Sequence, residues 1–207
     1  NHLLVGGDNM DLALAHQAAT KFAEQGTHLD PWQSVSLWHS CRLAKEKLLA
    51  VEGANAETIS VLGRGKKLIG GSISIDLERK ETQSLLLDGF LPEIPLDSAP
   101  EQRRASGFQE IGLPYESDTA VTKHIAEFLS KHSETGEPIC PTDILINGGV
   151  FKAKALGDRL LNVLSSWFPE SPPKMLSGER DLDHAVAHGA AVYGWSKDHG
   201  GIRIRGG

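Results

Sequence analysis

The sequence predicts an α/β protein, on three observations. The last third alternates strand signals with helix signals, the pattern of a mostly parallel sheet covered by helices. The run Ile144-Leu145-Ile146-Asn147 passes through Gly148-Gly149 into a helical apolar stripe, which makes a strand–turn–helix unit. With 207 residues, 40% of them hydrophobic and 23% charged, the chain can build a core without disulfide staples.

The elements follow in order. Leu3-Leu4-Val5 reads as a short buried strand closed by Gly6-Gly7. Asp8 or Asn9 caps a helix with Met10, Leu14, Ala18 and Phe22 on one face, and Gly26 stops it. Asp30-Pro31 opens a second helix: Asp caps it, and Pro takes the first helical position, where its missing N–H costs nothing. Its stripe is Leu37, Cys41, Ala44, Leu48 and Val51, with Gly53 at the end. Alternation over Thr58–Val61 and Ser72–Leu77 predicts two strands, joined by a turn with Arg64, Lys66 and Lys67 at its tip. A short helix is expected over 80–89. From Phe90 to Tyr115 the chain has four prolines and little periodicity, and it reads as a long loop or arm. Its Phe90, Phe108 and Tyr115 among Arg103 and Arg104 have the composition of an interface.

Ser117 or Asp118 then caps a helix with Val121, Ile125, Phe128 and Leu129 inward. Asp143 to Asn147 is the buried strand, and its helix carries Leu156, Leu160, Leu164 and Trp167 on one face. A short strand is expected at Lys174–Leu176. Asp181 or Asp183 caps a helix through Val186, Ala190 and Tyr193, and residues 202–205 form a last strand.

Charge and composition exclude several function classes. Lys+Arg 21 against Asp+Glu 27 gives −6, which argues against a nucleic-acid face, because polyanions need a concentrated basic patch. No apolar run has the roughly 18 residues of a membrane span. Two cysteines, Cys41 and Cys140, are too few for a disulfide scaffold and suit a reducing, cytoplasmic setting. The chain opens Asn1-His2 without Met or a signal pattern and ends in what reads as mid-strand, so a longer parent protein is expected.

Three segments could carry chemistry. At Gly148-Gly149 the backbone can approach a ligand, and the helix start beyond supplies N–H groups and a positive dipole; a plain tight turn explains the same glycines. Cys41-Arg42-Leu43-Ala44-Lys45-Glu46 offers charges on the flank of a striped helix, which a solvated helix face also explains. Asp181-Leu182-Asp183-His184 runs into small residues. His184 and His188 share a spacing that suits zinc, but no Glu follows the first and no third ligand is near, so close helix-to-sheet packing is the simpler reading.

Taken in order, these segments resemble the DnaK-type heat-shock chaperones of the actin-like ATPase superfamily. Gly6-Gly7-Asp8-Asn9-Met10-Asp11 is similar to the family's Gly-Gly-acidic-acidic-Phe-Asp segment, and Cys41-Arg42-Leu43-Ala44-Lys45 to its Cys-Glu-Arg-Ala-Lys adenosine helix. Asn147-Gly148-Gly149-Val150-Phe151-Lys152 resembles its Val-Gly-Gly-Ser-Thr-Arg adenosine loop. The stretch from Asp181 to Ala191 resembles its Asn-Pro-Asp-Glu-Ala-Val-Ala-x-Gly-Ala-Ala helix. The resemblance implies an actin-like (ribonuclease H-like) base lobe plus a smaller α+β upper lobe. Residues 1–7 would form a base strand, 8–112 the upper lobe, and 113–207 a second base lobe carrying the adenosine loop.

It also implies ATP or ADP as ligand, with magnesium in the full-length parent, and protein clients or co-chaperones as partners. Gly148 and Gly149 would admit the nucleotide, Lys152 would lie against adenine, Lys45 would reach the ribose, and Asp183 would orient the loop. Arg42 and Glu46 stand where the family has Glu and Arg, and Val150-Phe151 where it has Ser-Thr. The phosphate loops and catalytic lysine of the family have no counterpart here, so the chain alone is expected to be inactive. The other readings are a non-hydrolysing scaffold or adaptor of the same fold, and a sugar or acetate kinase of the superfamily.

Overall fold

The structure, a computed structural model, describes residues 3–63, 71–101, 118–132, 136–176, 182 and 184–201. It is a mixture of helices and two small sheets, in keeping with a general α/β class.

Helix α1 (Gly7–Glu24) buries Met10, Leu14, Ala18 and Phe22 on one stripe, as their spacing predicts. Its cap is Gly6 rather than Asp8 or Asn9. Asn9 sits three residues in, and its Oδ1 accepts the Gly6 N–H at 2.8 Å, which lets the helix start earlier. Leu3-Leu4-Val5 is not a strand: Leu3 and Leu4 are exposed, and no described strand offers them a ladder.

Helix α2 (Pro31–Leu49) starts on a reciprocal cap. Asp30 Oδ1 accepts the Gln33 N–H at 2.9 Å, and Gln33 Oε1 accepts the Asp30 N–H at 3.0 Å. Gln33 also donates to the Leu62 carbonyl at 2.7 Å, tying the helix start to the sheet. Leu37, Cys41, Ala44 and Leu48 are buried, but Val51 falls beyond the helix end and is exposed.

Strands β1 (Ala56–Leu62) and β2 (Ser72–Glu78) pair antiparallel with Ile59 opposite Ile75. Ile59, Val61, Ile75 and Leu77 face α1 and α2 and close the first core, while alternate residues face solvent. The basic turn tip between the strands lies outside the described residues.

Helix α3 (Arg79–Phe90) follows directly and buries Thr82, Leu86 and Phe90. The chain then runs without regular structure to residue 101. The Trp167 Nε1–H donates to the Ile94 carbonyl at 2.7 Å and Thr122 Oγ1 to Pro92 at 3.0 Å, Arg159 pairs with Glu93 at 3.1 Å, and the Glu101 N–H donates to Asp118 at 2.8 Å, while Thr119 Oγ1 donates to Gly89 in the last turn of α3 at 3.1 Å. The rest of the expected arm, with Arg103, Arg104, Phe108 and Tyr115, lies outside the described residues.

Helix α4 (Val121–Lys131) turns Val121, Ile125 and Leu129 toward the second core as expected, with Thr122 and Ala126 also buried and the Thr122 hydroxyl donating to Pro92, while Phe128 alone of the expected face is exposed. Asp118 accepts the Ala120 N–H just before the helix rather than capping it as the first residue.

The expected buried strand over 143–147 is shorter and half-exposed. Strand β3 (Asp143–Ile144) pairs parallel with β4 (Lys174–Met175) over two residues each. Ile144 and Ile146 pack on the second core, whereas Leu145 points outward. Between the two strands, a 3-10 turn (Gly149–Lys152) leads into α5 (Lys154–Trp167), whose Leu156, Leu160 and Leu164 are buried as predicted.

Helix α6 (Ala185–His199) departs most from expectation. The expected helix through Val186, Ala190 and Tyr193 is present, but the close packing expected of its small residues is not: Ala187, Gly189, Ala190 and Ala191 are exposed, as are Val186, Val192, Tyr193 and Trp195. A sheet of two strands with two residues each is too small to cover it. The expected final strand at 202–205 and a capping role for Asp181 or Asp183 lie outside the described residues.

The second core joins α5 to the first half of the chain. Leu156, Leu160 and Leu164 meet Met10 of α1, Leu49 of α2, and Leu86 and Phe90 of α3. Where α1 and α2 approach α5, a cleft remains open.

Candidate functional site

The cleft has a volume of about 890 Å³. One wall is the start of α1 and the segment before it, from Leu3 to Asp11. The second is α2, which turns Arg42, Lys45, Glu46 and Leu49 toward the space. That spacing follows one helix face, adjacent to the face that buries Cys41, Ala44 and Leu48. The third wall is Gly149, Val150, Lys152 and Ala153 with Leu156 of α5.

Lys45 forms the floor. Its Nζ lies 2.6 Å from Asp11 Oδ1, with side-chain exposures of 11% and 2%, and donates to the Gly7 carbonyl at 3.2 Å. Burial pushes the Asp11 carboxyl above its ordinary value, and the Lys45 ammonium only partly opposes this. Burial, together with the Asp11 charge, also pushes the neighbouring Cys41 thiol up to about 12, so it stays protonated and is no nucleophile at neutral pH.

Arg42 lies at the mouth, 4.0 Å from Asp8 and 4.0 Å from Glu46, with all three side chains more than half exposed. Pairs of this kind contribute little to stability, so Arg42 can exchange them for a ligand at small cost.

The glycines differ in role. Gly148 has φ +90°, a conformation side chains rarely adopt, and its N–H donates to Asn147 Oδ1 at 2.8 Å. It shapes the turn but does not line the cleft. Gly149 does line it, and a methyl added there would meet nothing within 4 Å. At Gly7 an added methyl would come 3.4 Å from Val150 and 3.6 Å from Lys45 Nζ, ordinary contact distances.

Of the residues predicted from sequence, Arg42, Lys45, Glu46, Gly149 and Lys152 come together here. Gly148 stands behind them, and Asp183 lies outside the described residues. Sequence reasoning missed Asp11 as a site residue. Its signal was a lone carboxylate on the apolar stripe of α1, between Met10 and Leu14. The apolar lining of Leu3, Leu4, Val51 and Val150 was missed as well. The cleft therefore offers apolar side chains on its walls, the cations Arg42 and Lys152, and one buried ammonium, Lys45.

Among the described residues, no three His, Cys, Asp or Glu side chains gather as a metal requires, and no helix is long and apolar enough to cross a membrane. No protein-family model matches the chain, and no curated protein matches it significantly.

Proposed function

We propose that the cleft is the adenosine-binding half of a DnaK-like chaperone's nucleotide-binding domain, of actin-like fold, holding the adenine and ribose of ATP or ADP. The observation that carries this reading is convergence. Residues that the resemblance selects from two distant segments, Arg42, Lys45 and Glu46 in one and Gly149 and Lys152 in the other, line one cleft. A flat base suits the apolar wall, with Arg42 and Lys152 as cations for its two faces. Lys45 serves a ribose hydroxyl, Gly149 admits the backbone approach, and Asp183 orients the loop. Phosphates and magnesium are left to groups outside this chain, so hydrolysis belongs to a full-length protein and the chain alone is inactive. A cytoplasmic setting, with clients or co-chaperones as partners, goes with the same reading.

Calorimetric titration of ADP into the wild type, Arg42→Ala and Glu46→Ala tests it. A cation on an aromatic face contributes roughly 0.5–2 kcal/mol, so Arg42→Ala should weaken ADP about three- to thirtyfold. Glu46→Ala should do less, since a carboxylate gains nothing from a π face. Equal affinities in all three proteins would remove Arg42 from the site, and no binding in the wild type would refute the reading.

One observation favours a second reading, a non-hydrolysing scaffold that has given up adenine: Arg42 is bracketed by Asp8 and Glu46, in the opposite charge order to the family. Failure of the wild type to bind ADP or ATP is its expected result.

A further inference from the structure

Two features of the cleft would draw an anion, and each already faces a carboxylate of this chain. The first is Lys45, whose ammonium is 2.6 Å from the buried Asp11 carboxylate, where little water screens the pair. The second is the start of α1, where a helix dipole and free N–H groups favour negative charge. Asp8 stands in that first turn, and the Asn9 side chain takes the Gly6 N–H. Across the cleft, Asp8, Asp11 and Glu46 balance Arg42, Lys45 and Lys152.

An ammonium has three donors. The Gly7 carbonyl takes one of those on Lys45, and Asp11 holds the ammonium at 2.6 Å as an ion pair, so a donor is left for a ligand. That donor comes from a floor without net charge. It suits a neutral acceptor such as a hydroxyl, and it offers a phosphate no long-range attraction. The pair itself is a poor stabiliser compared with apolar residues of the same size, which points to a role in the cleft.

We propose that Asp11 is a positioning residue that neutralises Lys45 and holds it against the Gly7 carbonyl, so that the cleft reads the uncharged nucleoside part of its ligand and gains nothing from phosphates. The proposal rests on the adenine-nucleotide reading above and narrows its ligand class: this chain is a nucleoside reader.

Adenosine, AMP and ADP titrated into the 207-residue chain at low and high salt test it, alongside Asp11→Asn and the double variant Asp11→Asn/Lys45→Gln. In the wild type the three ligands should bind within about threefold of one another at both salts, because the cleft's charges cancel. Asp11→Asn leaves the Lys45 charge unanswered, so ADP should gain about fivefold or more over adenosine at low salt and lose that gain at high salt. The double variant removes both charges and should restore the wild-type ratio while weakening all three ligands alike. A merely structural Asp11 would change the affinities together and leave their ratio fixed, which overturns the proposal. So does ADP binding more than about tenfold tighter than adenosine in the wild type, a comparison that decides the matter even if Asp11→Asn does not fold. If the wild type binds none of the three, the nucleotide reading itself fails.

Discussion

Lys45 and Asp11 are a buried pair in which losing one partner should cost far more than losing both. Removing one leaves the other charged in a site with little water, typically about 3–5 kcal/mol, while replacing both with neutral groups of similar size is close to neutral. Lys45→Met should therefore lower unfolding free energy in urea at pH 7 by about 3–5 kcal/mol, and adding Asp11→Asn should recover most of it. A double variant as unstable as the single would mean that the pair is not coupled.

Asp118 behaves oppositely to Asp11. Burial alone would raise its carboxyl, but the Glu101 N–H, the Lys123 ammonium at 2.9 Å and the Ala120 N–H outweigh that and hold it below its ordinary 3.8. A carboxylate lowered in the folded state adds stability above its unfolded pKa and loses it as pH falls through the folded one. Asp118→Asn should thus cost about 1–3 kcal/mol at pH 7 and nothing in strong acid, where the wild type is protonated too. Urea midpoints at both pH values check this, and a loss that persists in acid would assign the effect to packing. Asp11, raised in the folded state, has the reverse slope: its contribution is full below the unfolded pKa and is lost as pH rises through the folded one. At this scale Arg42, Lys45, Glu46 and Lys152 were picked out by the resemblance of their segments to a known family, since helix spacing and a glycine turn alone fit a solvated face and a tight turn equally well. Asp11 stayed hidden because its partner lies on another helix.

At the scale of elements, what was legible followed from how local each signal is. The Asp30-Pro31 start of α2 could be read residue by residue, since cap, first proline and stripe all lie within the helix. Asp30→Ala should cost about 1 kcal/mol in thermal or urea unfolding. Gln33→Ala should cost at least as much, because Gln33 returns the cap bond to Asp30 and also holds the Leu62 carbonyl of β1. A silent Asp30→Ala would mean that Pro31 alone sets the helix start. The hairpin was legible for the same reason, as its two alternating strands pair with each other across one turn. Leu3–Val5 and Ile144–Asn147 misled because a strand exists only with a ladder partner, and apolar composition does not name one. β4 offers two residues, so β3 stops at Ile144 and Leu145 is left in solvent. Phe128 of α4 and the close packing expected of the small residues in α6 misled on the same ground: the burying surface is tertiary, so what is covered is set by what lies beside the helix.

At the scale of the whole molecule, the two cores depend on each other unequally. The buried residues of the first all come from α1, α2 and the β1–β2 pair, with Leu29 and, from α3, Leu85 packed against them. The second is borrowed in part: Met10, Leu49, Leu86 and Phe90 come from α1, α2 and α3, and pack with Leu156, Leu160 and Leu164 of α5. Unfolding the first half removes those four side chains from the second core, whereas releasing α5 leaves the first core whole. Two tryptophans report on the halves separately, since Trp38 packs on the first core and Trp167 on the second. Trp32 and Trp195 are exposed and can be replaced by Phe, and replacing Trp167 or Trp38 by Phe in addition gives one protein with Trp38 alone and one with Trp167 alone. In urea the Trp167 transition should come before the Trp38 transition or coincide with it, and never follow it. Phe22→Ala, a fully buried truncation in the first core, should cost about 3–5 kcal/mol and lower both midpoints. Leu160→Ala, in the second, should cost about 2–5 kcal/mol and lower the Trp167 midpoint by more than the Trp38 midpoint. The cleft lies between the halves, so a ligand that spans Arg42 and Lys152 should stabilise the docked α5 and raise the Trp167 midpoint first. A Trp167 transition that outlasts Trp38, in the wild type or in Phe22→Ala, would show a second core that stands without α1 to α3 and would sink this account of how the cleft is held together.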